Sequence, residues 1–142
     1  MLLLAVGGLL VAAYLTLVQL DVSIGAWDPI FGPASTRQVL DLTRPVPDAL
    51  AGVLAYATEV VLLLTRRGRL LLGIVLCAGG LTSVALIIIQ PAVVGAWCAP
   101  CLASAALSLA LLALGRQEAA DALTALRRPR LGLRTLLAQL TQ

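Results

Sequence analysis

The sequence has no histidine and no lysine; every one of its ten basic residues is an arginine. Without histidine there is no imidazole for acid–base work and no His-ligated haem or metal centre. Cysteine is scarce, with only Cys77, Cys98 and Cys101. A zinc site needs four ligands, and neither histidine nor a second cysteine pair stands near Cys98 and Cys101, so no metal is expected. Charge of either sign is also sparse: 12% of 142 residues, against 61% hydrophobic. A soluble domain carries about 25% charged and about 45–50% apolar residues. This chain has more apolar surface than such a fold can hide, and the bilayer is its expected solvent. The net charge of +3 comes from arginines beside apolar runs. Those clusters read as orientation signals and not as a nucleic-acid surface.

What is present is a succession of apolar runs. Met1 to about Leu20 is long enough to span, at about twenty residues. It lacks a basic n-region, and Leu17-Val18-Gln19 is a poor cleavage site, so it reads as helix one and not as a removed leader. The absence of a flanking arginine leaves open whether the chain begins at its natural start. Asp21 to Pro47 is a broken loop with Gly25, Asp28-Pro29, Gly32-Pro33, Pro45 and Pro47 as turn signals. Ser35 is expected to cap a short interfacial helix through about Leu42. Trp27 and Phe31 suit a headgroup interface. Helix two runs from about Asp48 to Leu64, and Arg66-Arg67-Gly68-Arg69 makes a tight basic turn. Helix three runs from about Leu70 to Gln90 and is expected to end at Pro91. Gly73, Gly79 and Gly80 allow close helix contact. Helix four runs from about Cys98 to Leu114.

The expected fold is therefore an all-α integral membrane protein. Residues 1–114 form a four-transmembrane-helix bundle whose external loop carries the interfacial helix. Residues 115–142 form a basic, amphipathic tail, too polar to span and split by Pro129. Arg66, Arg67 and Arg69, with Arg116, Arg127, Arg128, Arg130 and Arg134 of the tail, hold most of the positive charge. The positive-inside rule puts that loop and the tail in the cytoplasm. With four spans, Asp21–Pro47 and Pro91–Trp97 then lie outside. In a bacterial cell this is the oxidising side of the inner membrane. The charges alone bring Cys98 and Cys101 there.

Trp97-Cys98-Ala99-Pro100-Cys101 carries the chemistry. Thiols at this spacing can close a disulfide within one helical turn, or pass two electrons on. With Cys98 at the N-cap of helix four, the helix dipole favours its thiolate and makes the sulfur reactive. Pro100 falls in the first turn, where its missing N–H costs nothing. Cys98 is expected to meet water and Cys101, one turn deeper, the bilayer. Such a dithiol can couple a water-soluble thiol protein to a membrane-dissolved two-electron carrier, a quinone. A static structural disulfide is the plain alternative. Cys77 lies roughly 20 Å along helix three from Gln90, too far to resolve a disulfide, and reads as a buried apolar residue.

Polar residues in the spans are the other candidates. Gln90 lies at the depth of the thiol pair, either to bond a quinone carbonyl or to cap helix three. Tyr56 either lines a ring pocket or packs between helices. Ser104 lies one turn after Cys101, on its face, with an intrahelical backbone bond as the alternative. Glu59 is expected to pair with Arg66 or Arg67 at the inner interface. It is also the one residue that would invite a transporter reading, which four short spans without a repeat do not support.

The run Gln90-Pro91-Ala92-Val93-Val94-Gly95-Ala96-Trp97-Cys98-Ala99-Pro100-Cys101-Leu102-Ala103-Ser104-Ala105-Ala106 resembles the third-to-fourth-helix junction of bacterial vitamin K epoxide reductase family proteins. Pro45-Val46-Pro47-Asp48-Ala49-Leu50-Ala51-Gly52-Val53-Leu54-Ala55-Tyr56 resembles that family's entry into helix two. The likeness covers roughly Leu2 to Leu114 in order and spacing. It implies a four-helix bundle around a quinone, menaquinone or ubiquinone. It implies that Cys101 faces the quinone and that Cys98 exchanges with an incoming dithiol; Tyr56, Gln90, Trp97 and Ser104 are then the residues expected to bind the quinone. It further implies a thioredoxin-like partner outside the membrane.

Two departures stand out. The family's relay cysteines in the loop between helices one and two are missing; Trp27-Asp28-Pro29-Ile30-Phe31-Gly32 occupies their place. A tyrosine that some members set against the quinone, one turn after the second cysteine, is Ala105 here. The expected function is thiol–disulfide oxidoreduction through Cys98 and Cys101 without the loop relay. The rival is a non-catalytic, quinone-binding or accessory membrane protein with a static Cys98–Cys101 disulfide.

Overall fold

The computed structural model describes residues 1–22, 25–42 and 48–127. Its elements are α1 (Leu2–Gln19), α2 (Pro33–Asp41), α3 (Asp48–Thr65), α4 (Arg69–Ile89), a single π turn (Gln90–Val94), α5 (Ala99–Leu114) and α6 (Arg116–Arg127). Helices two, three and four of the sequence reading are α3, α4 and α5. Pro45, Pro47 and Pro129, with Arg128, Arg130 and Arg134, lie outside the described residues.

Helices α1, α3, α4 and α5 close a ring: α1 packs on α3 and α5, and α4 packs on α5 and α3. The seam is built from small residues and leucines, with Ala5 and Ala12 of α1 against Tyr56, Leu72, Leu76 and Leu111. Small side chains on α1 let neighbouring backbones approach, which is how apolar helices associate where water supplies no drive. Gly8 makes room for the ring of Tyr56, whose Cε1 would lie 2.2 Å from a Cβ there. Leu3, Leu10, Leu54, Val61, Leu81 and Ile88 point outward and exposed. An apolar exterior of this kind suits lipid. Helices α1, α3 and α4 with its π turn are long and apolar enough to cross a membrane. At 16 residues α5 is about 24 Å long, and it meets α6 at a bend of 79° across Gly115.

Two expectations are corrected, the cap of α2 and the partner of Glu59, and the end of α4 is refined. Ser35 does not cap α2: Gly32, with φ of 87°, is the cap and Pro33 the first helical residue. Proline's fixed φ and missing N–H suit that first position, which moves Ser35 into the helix. At Pro91 the α-helical pattern of α4 does end, after Ile89, but the coil continues. The chain widens into one π turn over Gln90–Val94, which accommodates the missing N–H, and stops at Gly95 with φ of 67°. Glu59, expected to reach Arg66 or Arg67, is 2% exposed inside the bundle with Oε2 unpartnered. Among the described residues no ion pair joins it to either arginine.

The first helix of the tail packs on α4 through Ala119 and Ala122. A Cβ at Gly73 would come 2.0 Å from the carbonyl oxygen of Glu118, so only glycine admits α6 this closely. Arg69 bonds Glu118 at 2.9 Å beside it. Cys77 is half-buried against this helix, its Sγ 3.9 Å from the Ala119 carbonyl oxygen.

Candidate functional site

At the end of the bundle away from α6, the loop after α1, the helix α2 and the π turn converge on the start of α5. Cys98 is the N-cap of α5 in an extended conformation, and its sulfur accepts from the Cys101 N–H at 3.2 Å. The two cysteines are joined as a disulfide, with Cα atoms 5.2 Å apart. Leu15 and Val18 of α1, with Leu40 of α2, bury Cys98 to 0% exposure; Cys101 is half-buried. The expectation that Cys98 meets water is thus corrected. The loop and α2 lie over Cys98 like a cover, and Cys101 is the more open of the two.

Hydrogen bonds hold that cover. Ser35 Oγ donates to the Trp97 carbonyl at 2.6 Å and accepts from the Trp97 N–H at 3.1 Å. Gln38 Nε2 donates to the Val94 carbonyl at 3.3 Å. Gln19 ties the end of α1 to α2 and α3, donating from Nε2 to the Leu40 carbonyl and to Asp48 Oδ1. Tyr14 Oη accepts from the Trp27 N–H. The Phe31 and Trp97 rings stack with centroids 6.2 Å apart.

Asp28 is the hub that the sequence reading passed over. Its Oδ1 accepts from the N–H groups of Ile30 and Phe31, both at 2.9 Å, and its Oδ2 from Thr36 Oγ1 at 2.7 Å and Ala99 N–H at 2.9 Å. The local half was legible, because Asp before Pro favours a turn closed by the side chain. The bond to Ala99 spans 71 residues and left no signal in the sequence. With it, the first turn of α5 is fully satisfied: Ala99 by Asp28, Cys101 by the Cys98 sulfur, and Leu102 by the Cys98 carbonyl. Pro100 has no N–H to satisfy.

Desolvation pushes the Asp28 carboxyl up, but hydrogen bonds from Phe31, Ala99, Thr36 and Ile30 outweigh it and bring it from 3.8 to about 2. A carboxylate whose folded value is depressed adds stability above its unfolded value and loses it as pH falls through the folded one. Discounted for solvent screening, that is roughly 1–2 kcal/mol. The chain's two tryptophans, Trp27 and Trp97, both flank this loop. Their emission is expected to hold steady from neutral pH to about pH 4 and to shift as pH falls toward about 2. A transition complete above pH 5 would contradict this.

Of the residues assigned to a quinone, Gln90 is brought to the cysteines. Its Oε1 accepts from the Cys98 N–H at 3.0 Å, and it is 1% exposed with Nε2 unpartnered. Tyr56 and Ser104 form a second pair one turn deeper along α5. Tyr56 Oη donates to the Ser104 carbonyl at 2.7 Å and lies 3.3 Å from Ser104 Oγ. Trp97 packs outward on Phe31 and joins neither pair.

A buried disulfide at a helix start, capped by elements from across the chain, is the setting in which the family comparison falls. The sequence model of the Vitamin K epoxide reductase family matches residues 1–115. The chain belongs to that family. Its members are multi-pass membrane proteins, and in general they are thiol oxidoreductases linked to quinones and to thioredoxin-like partners. No curated protein and no solved structure matches the chain. The match ends at the bend between α5 and α6.

Proposed function

We propose that this family member is a quinone-linked thiol–disulfide oxidoreductase working through Cys98 and Cys101. The observation that carries the reading is the disulfide at the start of α5 with the buried, unpartnered Nε2 of Gln90 beside it. A buried donor without an acceptor costs about 1–3 kcal/mol, which a ligand carbonyl would recover. A quinone, menaquinone or ubiquinone, fits that donor. When bound it supplies an acceptor for two electrons and two protons. Gln90, with Tyr56 and Ser104 one turn deeper, would hold it; Trp97, packed outward on Phe31, is not placed to do so.

The chain's own part is thiol exchange. A dithiol partner attacks the disulfide as a thiolate and forms a mixed disulfide with Cys98, releasing Cys101 as a thiol. The partner's second thiol then attacks that mixed disulfide. The partner leaves oxidised, and two electrons and two protons remain on Cys98 and Cys101. The chain holds no loop cysteines to relay this step, so exchange takes place at Cys98 itself. In this reading the cysteine end of the bundle faces outside the inner membrane, toward a thioredoxin-like protein, and α6 faces the cytoplasm.

The complete burial of Cys98 favours one rival, an accessory protein with a static disulfide. The two separate cleanly in membranes containing reduced Cys77→Ser protein, which leaves only the paired thiols. Quinone is added, and alkylatable thiols are counted with time. Oxidoreduction requires quinone-dependent loss of both. If both stay alkylatable under excess quinone, the static reading stands.

A further inference from the structure

We infer that Asp28 is a positioning residue that sets how strongly the Cys98–Cys101 pair holds electrons, by placing a fixed negative charge on the helix start that the Cys98 thiolate would otherwise have to itself. This rests on the pair being redox-active as proposed above.

The N-terminus of α5 offers N–H groups and the positive end of a 16-residue dipole. Two side chains compete for it. Cys98 Sγ takes the Cys101 N–H, and Asp28 Oδ2 takes the Ala99 N–H two residues earlier in the same turn. In the disulfide the sulfur is neutral, and Asp28 alone faces the helix end. On reduction, a Cys98 thiolate would share that turn with the carboxylate. A like charge nearby disfavours the charged form. Asp28 therefore weights the equilibrium toward the disulfide.

The carboxylate cannot easily turn away. Its two oxygens hold four donors, one of them the hydroxyl of Thr36, which is 0% exposed. Nor is it neutralised, since among the described residues no cation pairs with it. The other groups around this end are Tyr14 from α1, Asp21 just after it, Arg37 and Asp41 from α2, and Asp48 from α3, which Gln19 binds; the π turn contributes the uncharged Gln90. Asp21, Arg37 and Asp41 line a cavity of about 100 Å³ with Val18, Gln19 and Leu40. Among the described residues, Asp28 is the charged group that bonds the first turn of α5.

The consequence is specific to this chain. Family members usually carry a relay pair of cysteines in the loop where Asp28 stands. Here that loop still acts on the pair, by charge and not by sulfur exchange. A pair weighted toward its disulfide gives electrons up readily once reduced, and it accepts them only from a comparably reducing dithiol.

The test is equilibration with glutathione in detergent, with no quinone present. Two glutathione thiols give up two electrons and two protons as GS–SG forms. The Cys98–Cys101 bond breaks and takes them up; wherever Cys98 ends as a thiolate, one proton goes to water. Asp28→Asn is expected to shift this equilibrium toward the dithiol by about tenfold at pH 8. Tenfold corresponds to about 30 mV in a two-electron couple. The shift should shrink as pH is lowered and Cys98 stays protonated in both proteins. A merely structural loss would not follow pH in that way. Thr36→Val removes a bond to Asp28 and keeps the charge, so it should move the equilibrium less than twofold. Ser35→Asp adds a carboxylate beside the Trp97 N–H and should shift it the opposite way, which keeps the inference testable if Asp28→Asn does not fold. A pH-independent shift, an equal shift in Thr36→Val, or no shift in Ser35→Asp overturns the inference. A wild-type disulfide that no glutathione ratio reduces overturns the proposed function, and this inference with it. A reducible pair indifferent to Asp28 overturns the inference alone.

Discussion

Membranes carrying the Cys101→Ala protein are expected to accumulate a mixed disulfide between Cys98 and an extracytoplasmic protein, while quinone-dependent thiol oxidation falls to background. With Cys101 gone there is no disulfide for a dithiol to attack; the Cys98 thiolate instead attacks the disulfide of an oxidised partner, releasing one partner thiol, and no Cys101 is present to resolve the adduct. The structure adds a condition that sequence spacing did not suggest. Cys98 is 0% exposed beneath the loop and α2, so exchange has to wait for that cover to lift. Ser35 holds it shut through two hydrogen bonds to Trp97. Each hydrogen bond contributes about 0.5–1.5 kcal/mol. Adding Ser35→Ala to Cys101→Ala removes both bonds, about 1–3 kcal/mol together, and should therefore raise the open fraction, and the adduct yield on non-reducing gels after alkylation trapping, by about fivefold to a hundredfold. No adduct in either variant would sink direct exchange at Cys98. An adduct whose yield ignores Ser35 would show that the partner reaches Cys98 by another route.

The bundle was legible because its signals are local. Apolar runs of spanning length, a basic turn at Arg66–Arg69 and the breaker Pro91 delimit α1, α3, α4 and α5 to within a residue or two. The role of Cys98 as N-cap could be read from Pro100 two residues on. What could not be read depends on segments distant in sequence meeting at one end. That Cys98 is covered follows from α2 folding back across Leu15 and Val18, and neither strand of that contact is marked in the sequence. Asp28 looked like half of an Asp-Pro turn signal, which it is, and its second oxygen found Ala99 only through tertiary structure. Gln90 was placed at the right depth by counting turns. The split of its amide, one end on Cys98 and the other unpartnered, depends on the π turn, which a proline rule would have ended before it began. The absent loop cysteines pointed the same way in both readings. They remove the relay, and the structure then shows the loop and α2 bonding Trp97 and Ala99, the residues on either side of Cys98.

Gln90→Leu is expected to give the other large effect, because it removes two functions from one side chain. Losing Oε1 leaves the buried Cys98 N–H without an acceptor, at a cost of about 1–3 kcal/mol. That loss should appear as a lower unfolding temperature of the oxidised protein in detergent, with no quinone added. Losing Nε2 removes the free donor proposed for a quinone carbonyl. One such bond corresponds to about a three- to tenfold rise in the apparent KM for quinone, with kcat for the bound complex less affected. The two readouts are independent. A residue that only supports Cys98 would lower stability and kcat and leave KM where it was. One that also meets the quinone moves KM as well. Tyr56→Phe provides the contrast at the deeper pair. Its hydroxyl already spends its proton on the Ser104 carbonyl, so its removal should change the quinone KM less than Gln90→Leu does. If Tyr56→Phe proves the more damaging to KM, the quinone sits lower along α5, against Ser104, and Gln90 serves the disulfide alone.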